Sequence, residues 1–332
     1  MLEQVFLYVT QRCNIRCITC YALDQLERGT DLDVDNLAGL LSALRAKGAW
    51  RLSLLGGEPT VHPRLAELLA AARAIGYSFV RINTNGMFNP SLLRDGALRG
   101  LDVLCFSIDG ATAAVNDSIR RGARLDRVVA NMRLAVELGF EVRANVTVTS
   151  RNIDQVFDII ALVQRAGGSE VNLNVMLLMG YALDHHDLSV DPEAWRRTYE
   201  EVTRRHRDFP IRIKLPPAFA AACDIPRHRE AGHRCVAVDG SRVYVASNGD
   251  VYPCLTLMDD PSRRIAAYVG GRLMPLAAPP LGDARVHDFC HFVRMESNGL
   301  HPLCIFYKDR LNGPTRERAD AHPPAVTAGP RC

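Results

Sequence analysis

Short apolar runs alternate with helical patterns along the first half of the chain, and this rhythm restricts the fold more than any other feature. Strands are expected at VFLYVT (from Val5), RLSLL (Arg51), FVRINT (Phe79), DVLCFSI (Asp102), EVRANVTV (Glu141) and EVNLNVM (Glu170). Between them, LAGLLSALRAKG, LAELLAAARAIG and VVANMRLAVELG carry apolar residues three and four apart and end on Gly48, Gly76 and Gly139. Glycine stops a helix because it takes the left-handed conformation cheaply. Strands alternating with helices predict βαβ units and a parallel sheet, either open or curled into a barrel.

After about Gly180 the rhythm changes. A helix is expected from Asp191-Pro192 to about His206, with proline in its first turn, followed by a short strand, IRIKL. RVYVASNGDVYPC reads as a hairpin turning at Asn248-Gly249-Asp250. The stretch from about Ala218 to Tyr307 holds five of the ten cysteines and no long helical pattern. The expected division is therefore a β/α unit over 1–180, a connecting helix over 181–217, a cysteine-rich unit over 218–310 and a proline-rich tail over 311–332.

At 332 residues the chain is long enough for about two domains. Its 48% hydrophobic and 23% charged residues exclude a wholly disordered chain. A formal charge of +3 offers no basic stripe, so nucleic acid is not an expected partner. No apolar run is long enough to span a membrane, and the N-terminal MLEQVFLYVTQRC is no signal peptide. A cytoplasmic location is expected. In a reducing compartment ten cysteines are expected as metal ligands or reactive thiols rather than disulfides.

Cys13, Cys17 and Cys20 stand in CNIRCITC, directly after the first strand. Three soft ligands on one loop suit a metal centre with one position left open; structural zinc would want a fourth ligand, and no histidine lies nearby. A C-x3-C-x2-C loop after the first strand of a β/α chain resembles the radical S-adenosylmethionine (radical SAM) superfamily. The following motifs fit in order. GGEP (Gly56, Gly57, Glu58, Pro59) closes the second strand, NTNG (Asn83 to Gly86, including Asn85) the third, and SIDG (Ser107 to Gly110) the fourth. NDSIRRG resembles the family's HDxIRG element, with Asn116 in place of the usual histidine. All of these fall at strand C-termini, where parallel β/α folds bind ligands. One departure is Thr19, where the family usually has an aromatic residue near the adenine; Tyr21 lies just beyond.

The resemblance covers roughly residues 4–180 and implies a partial (β/α)6 TIM-like barrel of the α/β class. It implies a [4Fe–4S] cluster on Cys13, Cys17 and Cys20 whose free iron chelates the amino and carboxylate groups of SAM. Backbone groups of GGEP and Glu58 would face the amino group, and Arg120 or Arg143 the carboxylate. Reductive cleavage then gives methionine and a 5′-deoxyadenosyl radical that abstracts a hydrogen atom. That step needs the reducing end of the cluster potential range and hence a flavodoxin- or ferredoxin-type electron donor. Cys105, Ser107 and Asp109 share a parity, so Cys105 lines the barrel if Ser107 faces SAM.

Cys235 and Cys254 bracket the hairpin as C-x13-G-x4-C, with Gly249 as the glycine. This resembles the opening of the SPASM and Twitch domains of radical SAM enzymes. Downstream only Cys290 and Cys304 follow, which implies one auxiliary [4Fe–4S] cluster and the shorter Twitch form, with Cys235, Cys254, Cys290 and Cys304 as its simplest ligand set. Cys223 is a competing ligand, and a structural zinc with His287, His291 or His301 is the competing metal. Cys223 and Cys105 are also candidate hydrogen-atom donors, as an epimerisation would require. The Asp184-His185-His186-Asp187 run lacks helical metal-ligand spacing and is expected to be a solvated turn.

The implied function is hydrogen-atom abstraction from a natural product, either a small molecule such as an aminocyclitol or sugar or a short peptide, leading to dehydrogenation or epimerisation. A peptide maturase forming a cross-link is the alternative. With the first strand beginning near Val5, a leader-binding module would have to be a separate protein. A non-enzymatic zinc-binding scaffold is the alternative of another class.

Overall fold

The computed structural model describes residues 1–22, 29–224, 240–276, 300–302 and 308–312. Its main sheet contains β1 (Gln4–Tyr8), β2 (Arg51–Leu55), β3 (Phe79–Thr84), β4 (Val103–Ser107), β5 (Glu141–Val148), β6 (Glu170–Val175) and β7 (Arg212–Leu215). These seven run parallel and side by side in chain order. β8 (Arg242–Val245) pairs parallel with the free side of β1. β9 (Asp250–Tyr252), β10 (Ala266–Val269) and β11 (Arg272–Pro275) continue outward as an antiparallel meander, and β12 (Asp309–Leu311) caps β7. The result is a partial, unclosed β/α barrel.

All six strands expected from the alternation are present. The sheet is nevertheless larger than six strands. IRIKL supplies β7, and the first arm of the hairpin supplies β8. The reason is local. Val243 and Val245 pack into the main hydrophobic core, while Tyr244 stacks on Phe6 with ring centroids 4.7 Å apart. A strand apolar on both faces belongs inside a sheet rather than on a separate exposed hairpin. The hairpin turn itself falls where expected, with Gly249 at φ 87°.

The helices are α1 (Val34–Ala46), α2 (Leu65–Ile75), α3 (Ser91–Arg94), α4 (Ala113–Ile119), α5 (Leu125–Glu137), α6 (Val156–Arg165) and α7 (Pro192–Arg205). Asp33 starts α1 by accepting from the Asp35 amide, and Asp191 does the same for α7 through Ala194. Gly48, Gly76 and Gly139 all take positive φ just beyond their helices. Leu37, Leu40, Leu41 and Leu44 of α1 are buried on one stripe, each contributing roughly 1.5–3 kcal/mol.

The two faces of the barrel strands differ in chemistry. Outward residues such as Leu52, Leu54, Val80, Ile82, Leu104 and Phe106 join the helices in one core. Inward positions are mostly polar: Ser53, Arg81, Asn83, Asn145, Asn172 and Lys214 alternate with them. Several of these are only half-buried, whereas their outward neighbours are fully buried. An ordinary closed β/α barrel fills its interior with branched apolar side chains. This lumen is lined for polar contact.

Candidate functional site at the barrel mouth

The loop after β1 carries Cys13, Cys17 and Cys20, all half-buried free thiols. Its path is fixed by backbone pairing. Cys17 lies opposite Arg120 in a two-residue antiparallel bridge, and the Ile18 amide donates to Ile119 O. A turn brings the Cys20 amide onto Cys17 O at 3.2 Å. The sequence placed these cysteines on one loop; the pairing with the Arg120 segment brings a guanidinium to them as well.

The GGEP loop packs against the same turn. Gly57 N donates to Thr10 O and Glu58 N to Arg12 O, both at 2.8 Å. A Cβ on Gly56 would stand 2.4 Å from Thr10 O, at a φ of 152° that side chains rarely adopt, so only glycine permits this approach. The Glu58 carboxylate is 1% exposed and is used internally. Oε1 accepts from Thr60 N, Thr60 Oγ1 and Thr84 Oγ1, and Oε2 accepts from Asn85 N at 2.6 Å. Four accepted bonds nearly exhaust a carboxylate. Glu58 therefore ties GGEP to NTNG, and what this loop presents outward is mainly backbone.

Asn85 Nδ2 lies 3.7 Å from Cys13 Sγ and donates to Asn14 Oδ1 at 2.7 Å. The SIDG and NDSIRRG elements lock each other. Asp109, fully buried, accepts from Arg120 Nη1 at 2.8 Å and from Thr147 N at 2.6 Å. Asn116, where the resemblance led one to expect histidine, accepts from Asp109 N at 2.9 Å. A Cβ on Gly110 would stand 2.5 Å from Asn116 N. Asn152 Nδ2 donates to Asp109 O at 2.8 Å. Thr147 and Asn152 belong to this network but lie outside the GGEP, NTNG, SIDG and NDSIRRG motifs, so nothing in the sequence pointed to them.

The two arginine candidates separate here. Arg143 is buried among inward residues below the strand ends, bonded to Glu141 at 3.0 Å and within 3.7 Å of Glu170. Arg120 stands at the mouth, with one end held by Asp109 and with Cys17 and Cys13 among the groups that perturb it electrostatically. Its Nε is buried and makes no hydrogen bond among the described residues. Ser107 is half-buried at the end of β4, and Cys105 below it is buried, beside Asn83 and Arg143 in the register.

Burial pushes the Cys17 thiol up to about 12, against the pull of Arg120, and raises Cys13 and Cys20 as well. Bare thiolates are therefore costly here, and a positive centre coordinated by all three would offset that cost. Three cysteine thiols on one loop are the kind of donor set that an iron–sulfur cluster would take, one position on the cluster being left to another ligand.

A partial parallel β/α barrel carries a three-cysteine loop at the C-terminal ends of its strands. Residues 7–163 match the model of the radical SAM superfamily. The chain is 26% identical over 241 residues to a probable GTP 3′,8-cyclase of Saccharolobus solfataricus, covering 67% of this chain and 78% of that protein. Its fold is similar to SuiB of Streptococcus suis, solved with the precursor peptide SuiA, at a TM-score of 0.63 and 17% identity over 79% of this chain. The match spans 61% of the SuiB chain. It is also similar to anSMEcpe solved with AdoMet and the Cp18Cys peptide, at a TM-score of 0.59 and 14% identity over 80% of this chain and 77% of that one.

Of the expected auxiliary ligands, Cys254 is buried just beyond β9, with its Sγ 3.2 Å from Thr256 Oγ1. Cys235, Cys290 and Cys304 lie outside the described residues. Cys223 departs from the expectation of free thiols: it is disulfide-bonded, on an exposed single turn after the Phe219–Ala221 strand. Asp184 to Asp187 form short turns, with His185 edge-on to Tyr181 and Asp187 within 3.7 Å of Arg151. No helix among the described residues is long and apolar enough to cross a membrane.

Proposed function

We propose that this chain is a radical SAM enzyme that abstracts a hydrogen atom from a natural-product substrate, a small molecule such as an aminocyclitol or sugar or a short peptide, toward dehydrogenation or epimerisation. The observation that carries this reading is the meeting of Cys13, Cys17 and Cys20 with Asn85 and Arg120 over a polar barrel lumen. A [4Fe–4S] cluster with SAM bound there supplies the 5′-deoxyadenosyl radical.

In this reading Cys13, Cys17 and Cys20 would hold the cluster, and Asn85 would orient the Cys13 sulfur. Arg120, with its Nε lacking a partner among the described residues, meets the carboxylate of SAM, while Asp109 fixes the guanidinium's other end. The backbone at Gly56 and Gly57 faces the amino group, with Glu58 acting behind it as the brace between two loops. Ser107 lies on the path from the mouth into the lumen. Exclusion of water from the mouth falls to the aromatic wall of Phe6, Tyr8, Tyr244 and Tyr252.

Epimerisation needs a hydrogen-atom donor. Cys105 is inward-facing, and burial pushes its thiol up to about 11, so it keeps its hydrogen at neutral pH. Cys223 has none to give while it is disulfide-bonded. An auxiliary cluster on Cys235, Cys254, Cys290 and Cys304 in a Twitch-type unit would accept electrons in a dehydrogenation; the hairpin motif supports it. Peptide cross-linking is the second reading, favoured by the fold shared with two proteins solved with peptides. A flavodoxin- or ferredoxin-type donor and a cytoplasmic setting belong to either reading. Formation of 5′-deoxyadenosine from SAM and dithionite tests the proposal. A zinc scaffold predicts none.

A further inference from the structure

The two-residue bridge that sets Cys17 opposite Arg120 also sets Arg16 opposite Arg121. Successive residues of an extended chain point to opposite faces, so the two pairs lie on opposite sides of this ribbon. One side carries Cys17 and the buried Arg120, which Asp109 holds at 2.8 Å. The other carries Arg16 and Arg121, both exposed. The cysteine loop therefore has one face toward the barrel mouth and another toward solvent.

Directly opposed residues of an antiparallel pair have Cβ atoms about 4.5–5.5 Å apart, and like charges placed there repel. Neither Arg16 nor Arg121 has an acid partner among the described residues. Arg16 Nη1 donates instead to two backbone carbonyls, Cys13 O at 2.8 Å and Ile15 O at 2.9 Å. Two further exposed arginines flank the pair, Arg12 on the same loop and Arg124 on the bridged segment. These are matched by Asp31 at 2.6 Å and Asp126 at 2.7 Å. The positive charge left over is thus that of Arg16 and Arg121. Its field reaches the thiols: burial raises the Cys20 thiol, and Arg16 is among the groups that oppose the rise. A partner that brings carboxylates to this outer face relieves the repulsion. The lumen lies behind the other face, so that partner docks from solvent.

We propose that the outer face of the cysteine loop, centred on Arg16 and Arg121, is the docking surface for an acidic one-electron donor protein. The proposal rests on the radical SAM reading, in which a low-potential electron must reach the three cysteines, and it assigns the face through which that electron enters. The bond from the Arg16 guanidinium to the Cys13 carbonyl joins this face to the backbone of Cys13. A small patch suffices, because electron-transfer encounters bury less than about 1,200 Å². One electron leaves the reduced flavin of the partner, which passes from hydroquinone to semiquinone, and enters the cluster; no covalent bond forms or breaks.

The test titrates an acidic flavodoxin, carrying oxidised FMN, into the anaerobically reconstituted protein by calorimetry. Wild type is expected to bind one flavodoxin, at least tenfold more weakly when ionic strength rises from about 0.01 to about 0.15 M. Arg121→Glu is expected to weaken binding at least tenfold and to slow reduction of the cluster by flavodoxin hydroquinone, followed by stopped flow, to a similar extent. Its iron content is expected to match wild type, and its dithionite-driven 5′-deoxyadenosine formation to stay within about twofold. Arg121→Lys keeps the charge and retains binding within about threefold. Arg207→Glu reverses an exposed arginine just before β7, at the opposite end of the barrel, and likewise leaves binding within about threefold. No binding to wild type, equal binding by folded Arg121→Glu, or an equal loss in Arg207→Glu would overturn the proposal. So would a duplex oligonucleotide bound in place of flavodoxin and lost in Arg121→Glu, which gives the face to nucleic acid. Wild type that forms 5′-deoxyadenosine with dithionite but binds no flavodoxin keeps the radical SAM reading and loses the docking face. Flavodoxin binding with the expected variant pattern but no 5′-deoxyadenosine would sink the radical SAM reading and leave the face.

Discussion

The side-chain amide of Asn85 stands 3.7 Å from the sulfur of Cys13, while its backbone nitrogen donates to the buried carboxylate of Glu58 at 2.6 Å. One residue thus couples the first cysteine to the brace that joins the second and third strand ends. Metal ligands are commonly held by such outer partners, whose loss costs about 10–100-fold in affinity or activity.

Asn85→Ala is therefore expected to lower the rate of 5′-deoxyadenosine formation by about 10–100-fold while leaving iron content near wild type. If Cys13 holds a cluster as proposed, losing the N–H directed at its sulfur would also lower the reduction potential. Potentiometric titration followed by electron paramagnetic resonance measures that shift, and an unchanged potential with an unchanged rate would remove Asn85 from the site.

Gly56→Ala tests the close approach of GGEP to the first loop. The added Cβ would stand 2.4 Å from Thr10 O at an unfavourable φ, so a loss of roughly 1–3 kcal/mol or more is expected. Urea unfolding of the two proteins gives the difference. A midpoint equal to wild type would mean that the loop does not pack as described.

The buried pair of Asp109 and Arg120 makes two separable predictions. Asp109→Asn leaves a buried guanidinium without its counter-charge and is expected to destabilise the fold by ~3–5 kcal/mol. Arg120→Gln is expected to weaken SAM binding at least tenfold while cluster assembly is retained, because in the proposed function Arg120 would meet the carboxylate of SAM rather than the irons. Equilibrium dialysis with SAM on the reconstituted variant decides this. Wild-type affinity would transfer the carboxylate to another cation.

The lumen charges predict a pH effect. Burial pushes the Glu141 carboxyl upward, but Arg143 and Arg212 outweigh it, and its pKa lies below the usual value. A carboxylate depressed on folding contributes stability that is present above the unfolded pKa of about 4.3 and is lost as pH falls through the folded value. Melting temperature is expected to fall more steeply below pH 5 in wild type than in Glu141→Gln. Parallel curves would show that the ion pairs contribute nothing net.

Much of the barrel was legible in the sequence because strand, helix and glycine stop repeat with one rhythm. Gly48, Gly76 and Gly139 marked real helix ends for a steric reason that needs no tertiary context. The growth of the sheet to include β7 and β8 was not legible, since pairing Val5 with Val243 depends on a contact 238 residues away. At the site, motif order located the three-cysteine loop and Arg120. It did not show that Glu58 is consumed as a brace, or that Arg143 lies below the mouth among acids; both are decided by side-chain partners from distant strands. The placement of Lys308 gave no signal at all: it donates to Asn172 and Asn174, which β6 turns inward more than 130 residues earlier.

The most direct measurement compares wild type with the Cys13→Ala/Cys17→Ala/Cys20→Ala variant after anaerobic reconstitution, counting iron and sulfide and assaying 5′-deoxyadenosine from SAM with dithionite. The account predicts a loss of about four irons in the variant, the content of one cubane, with nucleoside formed only by wild type. Equal iron in the two proteins, or no 5′-deoxyadenosine from iron-replete wild type, would contradict it.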